Sequence, residues 1–264
     1  MSADPILYER VTDRVAVLTF NRPEVLNAVN QATIERFNEL LAETDRDPGL
    51  RAIVLTGKGR AFSAGADLKE YSSTLGAATL RDAVRGLDAT QEITRRFVAH
   101  HAVFVAALNG IAVGIGAELS LNADLRIGCD ASELYFSEAK RGLFQTNGVM
   151  HLLPRIVGQG RAAHWLLTSE RIKAPALLAG GFLSELVPQD QLVARAIELA
   201  SMAAANAPVS VTHLKKLLRR TWEVDLETML QLEIDGMMAC MASEDAEEGV
   251  RAFGERREPR WLGR

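Results

Sequence analysis

Cysteine is nearly absent from this chain. Cys129 and Cys240 are its only two, far apart and without metal-type spacing, which argues against a disulfide framework and a zinc site and fits a reducing, intracellular setting. No sign of charge dominates: 30 Lys and Arg stand against 34 Asp and Glu, a formal net charge of −4. That balance gives no general attraction to nucleic acid or to an anionic membrane, although a local basic cluster can still hold a phosphate. A basic stripe interleaved with aromatics, the mark of an RNA-binding face, is also missing. The opening MSADPILYER has no basic segment followed by an apolar stretch, and Asp4 and Glu9 speak against a transit peptide, so the expected location is cytoplasmic. Neither G-x-x-x-x-G-K-[ST] nor G-x-G-x-x-G occurs, and no serine sits in G-x-S-x-G, which leaves a phosphate loop and a serine hydrolase without their signatures. No tandem repeat suggests a solenoid.

What is present is a globular chain of 264 residues, 48% hydrophobic. Val15–Phe20 (VAVLTF) predicts a buried strand ending at Asn21-Arg22-Pro23, and Asn30 can cap a helix whose Ile34, Phe37, Leu40 and Leu41 share one face. Residues 51–56 (RAIVLT) predict a second strand, followed by the small-residue loop FSAGADLKE over residues 62–70. Strand, helix, strand and a loop at a strand's carboxyl end is the α/β arrangement that usually places ligands at that end. The next stretch, SSTLGAAT, predicts a mobile loop, and Leu80, Val84, Leu87, Ile93 and Phe97 predict a helix over the site. A second strand and helix span residues 103–122, and residues 125–128 begin a third strand. From Arg161 the pattern turns helical, and six of the seven methionines lie at position 150 or later, four of them within residues 229–241.

The most informative stretch is residues 102–124, AVFVAALNGIAVGIGAELSLNAD, an apolar run long enough to suggest a membrane span. The Asn109-Gly110 break divides it into a strand-length piece and a Gly-led helix, with Glu118 and Asn122 following. A carboxyl group among Gly, Ala, Ile and Leu is desolvated, which raises its pKa and makes it a candidate acid or base. Its alternative is a glutamate that escapes to solvent from a core helix. Glu138, in LYFSEAKRG, reads on its own as a strand-end glutamate paired with Lys140 or Arg141, or with Glu118 as one member of an acid and base pair. His100 and His101 read as a solvated pair near a helix end. The small-residue loops 63–67 and 110–116 suit either ordinary tight turns or main-chain donors for a developing oxyanion.

With NRPEVLNA, AFSAGADLKE, NGIAVGIGAEL, the segment from Glu138 to Gly142 and the ending SEDAEEGVRAFGERREPRW in order, the chain resembles the crotonase superfamily, the enoyl-CoA hydratases and isomerases. The resemblance implies an α/β fold built as a spiral of ββα units over residues 1–200, carrying the acyl-CoA site, with a C-terminal helical trimerisation region over 201–264. It also implies a homotrimer or a dimer of trimers, and no cofactor or metal beyond the coenzyme A of the substrate. Carried over, it makes the Ala66 and Ile115 N–H groups the oxyanion-hole donors. Glu118 becomes the group that activates water, and Glu138 the group that holds the same water and protonates Cα. Coenzyme A contacts fall on Val25, Ala28, Ala64, Ala66, Asp67 and Leu68, with Phe253 and Arg256 reaching the nucleotide of a neighbouring subunit. The chain departs from the family pattern at Glu24, where lysine is common, at Ile115, where glycine is common, and at Gln145-Thr146-Asn147-Gly148-Val149, which replaces a Pro-Gly-Ala-Gly-Gly type segment.

The expected activity is reversible syn hydration of a trans-2-enoyl-CoA. An isomerase, or a hydrolase or decarboxylase using the same hole, is the alternative, and a non-catalytic binder of acyl-CoA or RNA is a third reading that the two glutamates and the acidic balance oppose.

Overall fold

The computed structural model describes residues 4–70 and 79–264. Strands β1 (Ile6–Arg10) and β2 (Val15–Phe20) form an antiparallel pair. Helix α1 (Gln31–Asp45) follows, with Asn30 as the predicted cap, its side chain accepting the Thr33 N–H at 3.0 Å. Phe37, Leu40 and Leu41 of α1 are buried as the spacing requires. The chain then runs through β3 (Ala52–Gly57), β4 (Ala61–Ser63), α2 (Leu80–Ala99), β5 (Val103–Leu108), β6 (Ile111–Val113), α3 (Ile115–Leu121), β7 (Leu125–Gly128) and β8 (Glu133–Tyr135). The predicted mobile loop lies almost entirely in residues 71–78, outside the described residues.

From β3 to β8 consecutive strands alternate between two sheets. One has the order β1-β2-β3-β5-β7 and ends on a further strand, the other begins β4-β6-β8. The pairs β3/β4, β5/β6 and β7/β8 therefore each put one strand in each sheet before the chain turns away, which is the expected spiral of ββα units. The sequence predicted the longer strand of each pair and not the three-residue partners β4 and β6, since so short a strand has too few residues to show alternation.

Beyond β8 come α4 (Val149–Val157), α5 (Gln159–Thr168), β9 (Arg171–Lys173), α6 (Ala174–Ala179), β10 (Glu185–Leu186), α7 (Leu192–Ala204), α8 (Pro208–Arg220), α9 (Leu226–Met241) and α10 (Glu244–Glu255). Strand β10 closes the larger sheet beside β7, and β9 closes the smaller beside β8. Helix α4 was not predicted, because Pro154 lies inside it and proline ordinarily ends a helical pattern. Among the described residues no helix is long and apolar enough to cross a membrane. Residues 103–122 are instead buried strand and helix, fully enclosed over Phe104 to Leu108.

The core on one side of the larger sheet is aromatic: Phe37 meets Phe20 and Phe97 edge-on with ring centres 5.8 and 5.7 Å apart. On the other side Val15, Val17, Val54, Val105 and Ile127 pack against Ala196 and Ala200 of α7. Helix α8 is tied to this core by charge as well as by apolar contact. Lys215, buried, donates to Ala102 O at 2.6 Å and pairs with Asp124 at 3.1 Å, while Arg219 donates to Asn122 O and to Asp124, each at 2.9 Å.

The expectation of a solvated histidine pair is corrected for His100. It caps the end of α2 but is buried, with Nδ1 accepting the Ala102 N–H at 3.0 Å and Nε2 beside Thr44 Oγ1 at 3.1 Å. Burial first, then the neighbouring His101, lowers its pKa to about 3, so it is neutral near pH 7. His101 is partly exposed, with Nε2 beside Leu50 O at 2.8 Å and Nδ1 beside Asp45 at 3.1 Å. These bonds occupy all four ring nitrogens of a trio that otherwise has ligand atoms within 4.8 Å of one another.

Candidate active site

Strands β4, β6 and β8 are parallel neighbours in the smaller sheet, and every candidate catalytic group follows the carboxyl end of one of them. Ala66 follows β4, Ile115 and Glu118 follow β6, and Glu138 follows β8. Residues 72 positions apart in the chain are thus delivered to one edge by sheet order.

The first two loops touch. Gly65 has φ +91°, and a Cβ on it would lie 2.8 Å from Val113 O, so glycine is needed both for the turn and for the approach. Val29 fixes the direction of Ala66: its N–H donates to Gly65 O at 2.7 Å and its carbonyl accepts from Asp67 N–H at 2.9 Å. In a parallel bridge of this kind the middle residue turns its own N–H away from the partner strand. Ile115 opens α3, where the first N–H groups have no acceptor within the helix. Ala66 is exposed and Ile115 partly so. Two main-chain donors on adjoining loops are therefore without an acceptor among the described residues.

Glu118 lies one turn along α3 and is only 2% exposed. Its Oε1 accepts the Thr146 N–H at 2.9 Å, and its Oε2 accepts Asn147 Nδ2 at 2.6 Å and Thr146 Oγ1 at 3.2 Å. Burial raises its pKa, opposed by these donors. The alternative of a glutamate escaping to solvent is excluded by that burial.

Glu138 is partly buried and lies on the turn that starts α3: a Cβ on Gly114 would sit 2.5 Å from Glu138 Oε1, and Gly114 has φ +48°. Burial raises its pKa and the nearby Glu118 charge adds to the rise, while a bond from its own main-chain N–H, then Arg141 and Gln145, oppose it. The reading of a simple ion pair is not supported. Arg141 donates to Ser137 O at 3.3 Å and the Lys140 ammonium lies 5.8 Å over the Tyr135 ring, and among the described residues Glu138 has no ion pair. Its side-chain donor is Gln145 Nε2 at 3.5 Å. The two carboxylates thus contact consecutive residues of one loop, Gln145 and Thr146.

That loop stands out in the sequence as a departure from the family pattern, but its hold on the two glutamates is what sequence reasoning missed. Asn147-Gly148 carries a turn signal, and Asn147 does adopt φ +45°, but nothing in the chain announces that its side chain turns inward to Glu118. Two further partners escaped notice: Thr94 on α2 donates to Asn147 O at 3.4 Å, and Asn122 Nδ2 donates to Glu118 O at 3.1 Å.

Of the expected coenzyme A contacts, Val25, Ala28, Ala64, Ala66, Asp67 and Leu68 are brought together. Ala64 N–H donates to Leu26 O at 2.8 Å, and Arg22 bridges the two segments, reaching Ala28 O at 2.6 Å and Asp67 at 3.0 Å. Val25 and Leu68 are exposed, at 38% and 52%. Phe253 and Arg256 are not brought to this surface within one chain: α10 packs on α9, and Phe253 is 89% exposed.

Two main-chain donors on adjoining loops and two carboxyl groups, one buried and one half-buried, are the kinds of group that can polarise a carbonyl and move protons at the carbons beside it. A model of the enoyl-CoA hydratase/isomerase family matches residues 10–264, and the chain belongs to that family. It is 31% identical to a short-chain enoyl-CoA hydratase of Clostridium acetobutylicum, covering 92% of each chain. It is 33% identical to the 2,3-dehydroadipyl-CoA hydratase of Escherichia coli, covering 95% of this chain and 96% of the other. Among solved structures, the enoyl-CoA hydratase of Bacillus anthracis superposes with a TM-score of 0.92 at 31% identity, over 98% of this chain and 100% of that one.

Proposed function

We propose that the protein is an enoyl-CoA hydratase that adds water reversibly, in the syn sense, to a trans-2-enoyl-CoA. The observation that carries this reading is that two carboxyl groups from different elements, Glu118 and Glu138, contact consecutive residues of one loop, at the edge of the smaller sheet that also carries Ala66 and Ile115. The thioester oxygen accepts from both N–H groups, which draws charge toward it and makes Cβ electrophilic. Glu118 takes a proton from water as the water oxygen bonds to Cβ. Electrons of the double bond move toward the carbonyl oxygen as an enolate, and Glu138 supplies the proton that forms the Cα–H bond. Loss of one oxyanion donor typically costs about 3 kcal/mol of transition-state stabilisation.

The net change is addition of water with no change of oxidation state, so the carboxyl pair and the two donors suffice, and coenzyme A enters only as part of the substrate. In this reading residues 1–200 hold the acyl-CoA site, with Val25, Ala28, Ala64, Ala66, Asp67 and Leu68 lining the nucleotide side, in a cytoplasmic setting. Incubation with a panel of enoyl-CoAs should consume the conjugated enoyl absorbance and give products heavier by one water. If no member of the panel is hydrated, the reading fails.

The C-terminal region, residues 201–264, is proposed to join copies of the chain. Trp222, Leu226, Ile234, Met237, Met238 and Met241 are all more than half exposed, a large apolar face for a single chain. A homotrimer or dimer of trimers is expected, with Phe253 and Arg256 meeting the nucleotide bound by a neighbour. A solution mass of one chain would contradict this assembly.

A further inference from the structure

The loop that departs most from the family pattern is also the one that holds Glu118. Thr146 and Asn147 give the carboxylate its three donors, and Asn147 is fully buried. The direction of these bonds is fixed by chemistry. Backbone and amide N–H groups can only donate, and Thr146 Oγ1 accepts from Asn147 Nδ2 at 3.0 Å, which leaves its own hydrogen for Glu118 Oε2. All three hydrogens therefore point at the carboxylate, and a proton on Glu118 would face donors. The buried amide commits its nitrogen to this task twice while its oxygen, also buried, has no donor among the described residues.

The loop is braced from behind. Thr94 Oγ1 donates to Asn147 O and accepts from Asn122 Nδ2, which also donates to Glu118 O at 3.1 Å. Asn122 O in turn accepts from Arg219 at 2.9 Å, so the far end of α3 is fixed as well.

We propose that Thr146 and Asn147 are positioning residues that keep the Glu118 carboxylate aligned and ionised inside an apolar site, so that it acts as the base while Glu138 carries the proton. This rests on the hydratase reading for its catalytic consequence, though not for the ionisation itself. Burial pushes Glu118 toward its neutral form, and the donors oppose that push. Glu138 lacks such a clamp: besides its own main-chain N–H, its donor among the described residues is Gln145 Nε2 at 3.5 Å. The elements packed on α3 add no competing charge at the carboxylate. Strands β4 and β6 carry no titratable side chain. On α4, His151 pairs with Glu223 and Arg155 donates to His151 O, while at the far end of α3 Arg219 and Lys215 pair with Asp124. On α2, Glu92 pairs with Arg95 and Arg96. At Glu138 the acting charges are those of Glu118 and Arg141.

The test uses the full chain with Asn147→Gly and Thr146→Val. Glycine accepts the φ of +45° at position 147 without strain and removes the whole amide-bearing side chain, and valine keeps the shape of threonine without its hydroxyl. Carboxylate infrared difference spectra are followed against pH, with the Glu118 band assigned by its loss in Glu118→Gln. In both variants Glu118 should take up its proton at higher pH than in the parent protein. The acid limb of kcat/KM for crotonyl-CoA should move the same way, with a loss of roughly 10- to 100-fold at neutral pH for each variant. A variant that folds, loses activity at every pH and leaves the Glu118 band titrating where it did overturns the proposal. If the band moves while no enoyl-CoA is hydrated by the parent protein, the clamp stands and the hydratase reading falls.

Discussion

Glu118→Gln is expected to lower hydration by about 10²- to 10⁴-fold, the usual contribution of a positioned acid or base. At 1.36 kcal/mol per factor of ten this is a barrier increase of about 3 to 5 kcal/mol. The amide keeps the size of the side chain but cannot take a proton from water. It also brings N–H hydrogens into a pocket where Thr146 N, Thr146 Oγ1 and Asn147 Nδ2 already point inward, so only its oxygen fits the existing donors. The oxyanion donors and the nucleotide surface are untouched, so binding of a saturated acyl-CoA should be nearly unchanged. Shifting a double bond from the 3- to the 2-position needs a proton moved at carbon and no water attack, and Glu138 alone can support it. The variant should therefore retain isomerisation better than hydration. Steady-state assays on 2-enoyl and 3-enoyl substrates check this, and undiminished hydration would remove Glu118 from its assigned role.

The second large effect is expected at Glu138. Glu138→Gln should lower hydration over a similar range of about 10²- to 10⁴-fold and, unlike the first variant, should also abolish exchange of the Cα hydrogens of a saturated acyl-CoA with solvent deuterium. The pH dependence follows from the direction of its shift. Burial and the Glu118 charge raise the Glu138 pKa, and the form needed for hydration is protonated, so activity holds below that raised value and falls as pH climbs through it. An alkaline limb from this group is expected in the parent protein, and Glu138→Gln should lack it. Exchange that survives in the variant would show that another group delivers the proton. Because the carboxyls interact, the two limbs describe the pair, and the double variant should cost much less than the product of the singles.

How far the sequence carried can be judged from particular residues. Asn30 and the Ile34, Phe37, Leu40, Leu41 face identified α1, because capping and periodicity are local properties of the chain. Glu118 was legible as an anomaly, a carboxyl in an apolar run, and its burial bears that out. That Glu138 lies near Glu118 was not legible from spacing and came only from the family resemblance, since it depends on β6 and β8 lying side by side in a second sheet of three-residue strands. The inward turn of Asn147 was hidden for a different reason: an Asn-Gly pair signals a turn and says nothing about which way the amide points. Lys215 was hidden as well, because its partners at Ala102 and Asp124 lie far away in the chain, and a lysine on a helix ordinarily reads as solvated. Periodicity exposes faces, whereas polar groups recruited from distant segments become visible only in three dimensions.

The central claim is that water, activated at Glu118, bonds to Cβ while the proton is delivered to Cα. Crotonyl-CoA incubated with the protein in water enriched in both ¹⁸O and deuterium tests it directly. The account predicts a 3-hydroxybutyryl-CoA carrying one ¹⁸O at C3 and one deuterium at C2, added to the same face, with the oxygen label almost absent when Glu118→Gln is used for the same time. Unchanged crotonyl-CoA, or ¹⁸O found in a released carboxylate instead of at C3, would contradict it.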